Sequence, residues 1–268
     1  MVKAKKGLIL SLFTLLVAVV VTTTSTYAWF VMNSSVSVTN MQITAKADST
    51  YLVIESAASG TGDYVGKIGD ISDSTLAITA GNATVLPTQV KKESTNVVLT
   101  NGKPTWQTAK GTSYNNGAAS STPVDVAENK VGEYVAKFSF VVGLNPIVSK
   151  LDAANLKIKD LTLTSVTGDA NKVFYNALSV LVVAKNGANY VADDYTSAGA
   201  AAIAADDNGK IAGHNTVFAS TVSHDGTPIE FDVYVYIDGN NANVTTQNAV
   251  AANLGTYGVA ITFAVDEQ

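Results

Sequence analysis

The chain has no cysteine, no arginine and only two histidines among its 268 residues. Without cysteine, an exported form of the protein has no disulfide bonds, and its stability depends on its hydrophobic core. Because all 17 basic residues are lysines, no guanidinium group is present for bidentate recognition of phosphate or carboxylate. This composition weighs against nucleotide and nucleic-acid binding.

Charged residues are also scarce, at 15% of the chain, whereas hydrophobic residues make up 47%. The formal net charge is −5, and three of the lysines (Lys3, Lys5 and Lys6) precede the first apolar run. Without those three lysines the charge of the remaining chain is −5 − 3 = −8. An acidic body of this kind repels nucleic acid and anionic lipid, so we predict no nucleic-acid partner.

The N-terminus has the three-part order of an export signal. A basic stretch, MVKAKKG, is followed by an uncharged apolar run at 8–21 and then by the small, polar residues TTTSTYA. Cleavage after Ala28 would place Thr26 and Ala28 at the positions where signal peptidases prefer small residues. We therefore divide the chain into a signal peptide or signal anchor, residues 1–28, and one body domain, residues 29–268.

A retained anchor and a type IV prepilin are the alternatives at this end. A helix of the length of 8–21 spans about 21 Å, less than a hydrocarbon core of about 30 Å, so an anchor would need residues 8–31 to cross the membrane. Lys5-Lys6-Gly7 before the apolar run suggests a prepilin, but the fifth residue after the glycine is Leu12 rather than the glutamate usual in such proteins. Cleavage is the favoured reading.

After residue 30 the apolar residues recur with a period of two, which is typical of β-strands. The alternation is clearest in 134–142, 231–237 and 259–265. It changes face across Thr39–Asn40 and across Lys159–Asp160, which indicates a β-bulge or a strand that passes between sheets. Further strands are predicted at Tyr51–Glu55, Thr75–Thr79, Asn96–Thr100, Leu178–Ala184 and Val217–Val222, and turns at Asn101-Gly102, His224-Asp225-Gly226 and Asp238-Gly239.

These patterns predict an all-β protein with the architecture of an antiparallel, jelly-roll-like β-sandwich. The N-terminal hydrophobic signal or anchor helix would precede this body. A long surface loop is predicted at Lys110–Asn129, and one or two short helices at Ser197–Ala205 and Thr245–Asn253.

No catalytic motif occurs in the sequence. His214 and His224 do not form H-E-x-x-H, and G-x-S-x-G is absent, so we predict a non-enzymatic protein without a cofactor or metal. Asp193-Asp194, in a predicted loop, and Asp238–Asn243 are weak calcium candidates, for which solvated turns are the favoured reading. Tyr234 and Tyr236 alternate with the core face of one strand, where they would stack on sugars, pack, or contact another subunit.

The junction between signal and body resembles a known pattern. T-Y-A-W-F followed by M-N-x-x-V-x-V-x-x-M-x-I-x-A-K-A is similar to the junction of a group of Firmicutes surface proteins, whose string is close to A-W-F-S-M-N-x-x-V-x-A-x-G-M-x-V-x-A. The chain departs from that string at Val31 and Asn40. The matching positions are Ala28, Trp29, Phe30, Met32, Asn33, Val36, Met41, Ile43 and Ala45.

The C-terminal residues 233–265 are similar to the closing strand, turn and strand of the same group, although the usual Asp-Pro-Asp is absent. More remotely, an alanine before an aromatic residue at the end of the signal resembles the TasA/camelysin proteins of biofilm matrix. That resemblance implies cleavage by a dedicated signal peptidase, a jelly-roll body, and fibres in which an N-terminal strand completes the next subunit. Some camelysin relatives carry a metalloprotease label, which no histidine motif in this sequence supports.

Trp29 and Phe30 would then begin the mature chain and lead a strand that bears Val36, Val38, Met41 and Ile43. Such a strand either tucks into its own sheet or docks in a neighbour's groove, with main-chain bonds for affinity and the rings for specificity. We predict a secreted or cell-surface structural protein of a bacterium, with itself or other surface proteins as partners. The alternatives are a membrane-anchored adhesin or glycan-binding module and, less favoured, a pilin-like subunit.

Overall fold

The computed structural model describes twenty-one strands and one 3-10 helix, and the predicted all-β class is confirmed for the described residues. Within these, no helix has the length and apolar character needed to cross a bilayer. The signal or anchor segment, Met41 and both predicted α-helices lie outside them. The described residues are 36–38, 42–47, 52–56, 75–79, 83–85, 87–108, 113–115, 118–120, 123–145, 149, 151–167, 177–196, 209–211, 215–225, 227–241 and 256–266.

Two large sheets contain most of the residues that lie in strands. The first, sheet I, has five antiparallel strands in the spatial order β17 (Asn189–Thr196), β16 (Leu178–Asn186), β20 (Ile229–Ile237), β14 (Val135–Leu144) and β3 (Leu52–Ser56). The second, sheet II, has the order β18 (Gly209–Ile211), β15 (Ala153–Thr167), β21 (Thr256–Asp266), β2 (Gln42–Ala47) and β4 (Thr75–Thr79), and β19 (Val217–Val222) also pairs with β15.

The remaining strands are short and form two-stranded sheets. β1 (Val36–Val38) pairs with β5 (Ala83–Val85), and β12 (Ser113–Asn115) pairs with β13 (Ala118–Ser120). Residues 88–108 fold into an outer layer of β6 (Thr88–Val90), β7 (Lys92–Glu93), β8 (Asn96–Val97), β9 (Leu99–Thr100), β10 (Lys103–Pro104) and β11 (Trp106–Thr108).

One hydrophobic core joins the two large sheets. Phe140 and Phe231 of sheet I stack at 5.8 Å between ring centroids, and Phe263 of sheet II lies 4.8 Å from Phe231. The predicted alternation is confirmed on two of the three strands that supply these contacts, since 231, 233, 235 and 237 of β20 and 259, 261 and 263 of β21 are all buried in this core. Each aromatic side chain removes a large apolar area from water at about 25 cal/mol per Å².

Both predicted changes of face correspond to real irregularities. In β15 the register with β21 shifts between Ile158 and Asp160, so a bulge occurs where the pattern changes. At Thr39–Asn40 the chain leaves β1, which pairs with β5, and enters β2 in sheet II. The same hydrophobic alternation therefore marks a bulge in one place and a change of sheet in the other.

Three expectations need correction. The sandwich is not purely antiparallel, because β2 runs parallel to β21, with Ile43 opposite Val259. The loop predicted at 110–129 contains the β12–β13 hairpin. It also runs into the 3-10 helix Glu128–Glu133, the one helix within the described ranges and one that the pattern did not predict.

Of the alternatives left open for the second face of β20, the structure favours packing. Tyr234 and Tyr236 are buried there, in a second cluster with Trp106 of the outer layer. The Trp106 ring lies 5.7 Å from that of Tyr234 and 5.0 Å from that of Tyr236. Sheet I is therefore covered on both faces, by sheet II on one and by the outer layer on the other.

The predicted Asn101-Gly102 turn joins β9 to β10, with φ of 52° and 77°, as a two-residue hairpin of the primed type requires. A Cβ at Gly102 would also overlap the ring of Tyr190. We expect Gly102→Ala to lower the free energy of unfolding by about 1–2 kcal/mol in urea titrations, since alanine is strained in the left-handed region.

The control for this substitution is Gly132→Ala in the 3-10 helix. Gly132 has no atom within 4 Å of an added Cβ, and its φ is not positive. This variant should unfold at the wild-type urea concentration or above it. Equal losses for the two alanine variants would contradict the turn argument.

Candidate functional site

The outer layer is fastened to the end of β20 by its first strand. Gly239 N donates to the carbonyl oxygen of Thr88 at 2.8 Å, and Thr88 forms a parallel bridge with Asp238. Within the layer β6 pairs with β11, so that Gln89 lies opposite Gln107. This attachment brings side chains from four separate parts of the chain to one place.

A polar pocket opens where the outer layer meets the ends of β17 and β20. Its volume is about 270 Å³. Two carboxylates, one ammonium group and three amides face it, with only small apolar surfaces. The lining residues are Gln89, Val90, Lys92, Gln107, Asp194, Tyr236, Asp238 and Asn240.

The floor of the polar pocket is a buried carboxylate with two partners. The Asp194 side chain is 3% exposed, and its Oδ2 lies 2.6 Å from Lys92 Nζ. The hydroxyl of Tyr236 donates to Asp194 Oδ1 at 2.7 Å. Burial, and secondly the negative charge of Asp194, raise the pKa of Tyr236 well above its ordinary value. The phenol therefore stays protonated and remains a donor to the carboxylate.

The second carboxylate, Asp238, lies in the turn after β20. Its Oδ1 accepts a hydrogen bond from Asn240 N at 2.9 Å, a local arrangement common in aspartate turns. Burial, followed by the charge of Asp194, raises the pKa of Asp238, and the hydrogen bond from Asn240 N opposes this rise. The pocket thus holds an acid in an environment that disfavours its charge.

The amides on one side of the pocket form a hydrogen-bonded row. Asn240 Nδ2 donates to Gln89 Oε1, Gln89 Nε2 donates to Gln107 Oε1 at 3.3 Å, and Gln107 Nε2 donates to Asp125 Oδ1 at 2.8 Å. The bond from Gln107 is the main cause of a lowered pKa at Asp125, with Lys91 as a further cause. Each amide uses one N–H in this row, and a side-chain amide carries two.

The arrangement suits binding by hydrogen bonds. In the part of the chain that the structure describes, no group of three or more histidine, cysteine, aspartate or glutamate side chains is placed to hold a metal ion. His224 lies in the predicted exposed turn, where its Nδ1 is 2.6 Å from Asp152 Oδ1; His214 is outside the described residues.

Among the residues predicted to lead self-assembly, the three that the structure describes do not line the pocket. Ile43 is fully buried in β2 of sheet II, and Val36 and Val38 belong to β1, paired with β5. The predicted cleavage positions Thr26 and Ala28, the aromatic pair Trp29 and Phe30, and Met41 lie outside the described residues.

The sequence pattern predicted only some of the pocket residues as candidate ligands. Asp194 and Asp238 were two separate, weak calcium candidates; the fold brings them together, and Asp194 lies in a strand, β17, rather than in a loop. Lys92, Gln89 and Gln107 carried no signal, because isolated amides and lysines are common on solvated strands. Only the pairing of β6 with β11 places them beside the acids.

Comparisons of the chain with protein-family models, curated proteins and solved structures give no match.

The hydroxyl of Tyr236 supports the buried carboxylate, so Tyr236→Phe should destabilise the fold. Asp194 Oδ1 would lose its donor although its side chain is only 3% exposed, at a cost of about 1–3 kcal/mol in the free energy of unfolding. Tyr234→Phe is the matched control, since the Tyr234 hydroxyl lies 3.4 Å from Asp232 Oδ2 and should cost less. Chemical denaturation of both variants measures the difference; a larger loss for Tyr234→Phe would contradict the assignment.

Asp238→Asn should make the folded protein more stable at pH 7, because asparagine can accept the bond from Asn240 N without a buried charge. The pKa of Asp238 is higher in the folded state than in the unfolded state, where it is about 3.9. Protonation of Asp238 therefore stabilises the fold: this stabilisation is complete below the unfolded pKa and is lost as pH rises through the folded pKa. The extra stability of Asp238→Asn relative to the wild type should therefore decrease as pH falls from the folded pKa of Asp238 to its unfolded pKa.

Asp266→Asn serves as the control of opposite sign. Hydrogen bonds from Asn155 and Lys157 lower the pKa of the exposed Asp266, so its ionised form favours the folded state above the unfolded pKa. This variant should lose a little stability at pH 7. Thermal unfolding of both variants across pH tests the pair, and a loss of stability in Asp238→Asn at pH 7 would refute the prediction.

Proposed function

We propose that this chain is a non-enzymatic structural protein, secreted or displayed at the cell surface of a bacterium, that assembles with copies of itself through its N-terminal strand. In this proposal the body is a jelly-roll-like sandwich, the product is an extracellular fibre, and residues 8–31 hold the chain in the membrane if they are not removed. The position of β2 in sheet II supports the proposal most strongly.

β2 is an inner strand, although it lies close to the proposed cleavage site. It pairs in parallel with β21 on one side and antiparallel with β4 on the other. Ile43 and Ala45 are fully buried in the main core. If β2 were withdrawn, the sheet would have two unpaired strand edges and an uncovered core, a combination that favours pairing with another chain.

An identical strand from a neighbouring molecule fits that slot. It offers the same backbone groups to β21 and β4 and the same side chains to the core, so that each subunit completes the next. Only residues 48–51 separate β2 from β3, and short connections of this kind favour exchange of an element between chains. Burial of Ile43 by the neighbour would contribute about 1.5–3 kcal/mol to each contact.

The second candidate function is a surface adhesin or glycan-binding module. The polar pocket favours it, since a concave site with convergent polar groups is typical of ligand binding. The two functions are compatible, because β2 belongs to sheet II and the pocket is formed by sheet I and the outer layer.

The absence of native cysteine permits a direct test of strand exchange. Thr44 of β2 is the register partner of Ala260 of β21, and neighbouring strands bring Cα atoms within the range of about 4.4–6.8 Å that a disulfide needs. A mature chain with Thr44→Cys is mixed with a mass-tagged mature chain with Ala260→Cys under oxidising conditions. We expect a cross-linked hetero-pair in non-reducing electrophoresis and mass spectrometry, in an amount that increases with protein concentration.

The control replaces Ala260→Cys by Ser220→Cys, an exposed position on β19, which β15 and β21 separate from β2. The hetero-pair should then fall to the background of random collision. Equal cross-linking with both partners would refute exchange through β2. So would a mature protein that stays monomeric at all concentrations and is unaffected by deletion of residues 29–45.

A further inference from the structure

We infer that the polar pocket binds a neutral, polyhydroxylated ligand, namely one sugar ring of a glycan. The volume of about 270 Å³ is slightly below the range of about 300–1,000 Å³ for drug-sized molecules. The pocket therefore has room for one small polar unit and not for an extended apolar group. This inference does not depend on assembly through β2.

The hydrogen-bonding groups of the pocket match hydroxyls. Each hydroxyl of a sugar both donates and accepts, and so requires acceptors and donors side by side. The carboxylate of Asp238 and the side-chain carbonyl of Asn240 supply acceptors at the pocket wall. The second N–H groups of Gln89 and Gln107 and the ammonium of Lys92 are the donors on the facing side.

The buried carboxylate gives a second, independent indication. Asp194 Oδ2 is buried and makes no hydrogen bond of good geometry within the described residues. Its contact with Lys92 at 2.6 Å is an ion pair, and the Lys92 side chain remains about one-third exposed. A ligand hydroxyl beside Lys92 would add a hydrogen bond of good geometry to an oxygen whose one partner is the ion pair, and buried carboxylate oxygens usually accept more than one bond.

The charges of the pocket disfavour the other ligand classes. An anion would meet two carboxylates and a single ammonium. A divalent cation would have to displace Lys92 from Asp194, and it would find only two carboxylates where such ions usually take six or more oxygen ligands. Val90 and the edge of Tyr236 offer little apolar surface, so an apolar ligand would leave most polar groups unpaired.

The test follows the side-chain amide signals of Gln89, Gln107 and Asn240 in nuclear magnetic resonance spectra of the full mature chain. The probes are the neutral methyl glycosides of glucose, mannose and galactose, with calcium chloride and inorganic phosphate as competing classes. We expect at least one glycoside to shift these signals with a dissociation constant of about 1 mM, as befits a single small unit.

Asp238→Asn should weaken this binding about fivefold, since a bond to a charged acceptor is stronger than one to a neutral acceptor. Asp266→Asn, the same chemical change on sheet II, should leave it unaltered. The inference is overturned if no glycoside shifts the three amides, if calcium or phosphate shifts them instead, or if Asp238→Asn binds as tightly as the wild type. Strand exchange is measured separately, so either proposal can fail without the other.

Discussion

Burial of both faces of strand β20 is the constraint on which the rest of the structure depends. One face carries Phe231 and its alternating neighbours into the core shared with sheet II, and the other carries Tyr234 and Tyr236 under the outer layer. The first face buries apolar side chains only and needs no hydrogen-bond partners. The second also buries phenol groups, each of which needs a hydrogen-bond partner. A chain without disulfides thus buries apolar surface on both sides of one strand. The hydrogen-bond partners of the buried phenol groups then form a polar cluster.

In that cluster, local stability and the proposed ligand binding make opposite demands. Tyr236 and Lys92 balance the buried Asp194, but the nearby Asp238 adds a second carboxylate whose pKa is raised by burial and by repulsion. A purely structural solution would place a neutral side chain at this turn. Local arrangements that disfavour folding are characteristic of binding sites, where the unfavourable group has a role towards a ligand. The proposed sugar site gives Asp238 such a role.

Sheet II depends on a pairing between strands that are far apart in the sequence. Its two central neighbours, β2 and β21, come from near the opposite ends of the body and run parallel. The sheet is therefore incomplete until both strands are in place, and a strand close to the predicted export signal becomes essential to the core. Because any copy of β2 can satisfy the same backbone and side-chain partners, intramolecular closure and exchange between molecules use the same interactions. In the proposed assembly, the concentration of chains and the state of the N-terminus would select between them.

Alternation along the chain was sufficient to predict the β class, the core faces of β20 and β21, the irregularity after Ile158 and the Asn101-Gly102 turn. These features follow from local rules, namely side chains that alternate across a strand and backbone angles that few residues adopt. The parallel pairing of β2, the burial of Tyr236 and the meeting of Asp194 with Asp238 could not be obtained in this way. A period of two shows that the faces of a strand differ, but segments distant in sequence decide which faces are covered and which carboxylates become neighbours. For this protein the sequence by itself determined the strands and their apolar faces, whereas only tertiary packing decided the outer layer and the pocket, because both arise from contacts between parts of the chain that share no local pattern.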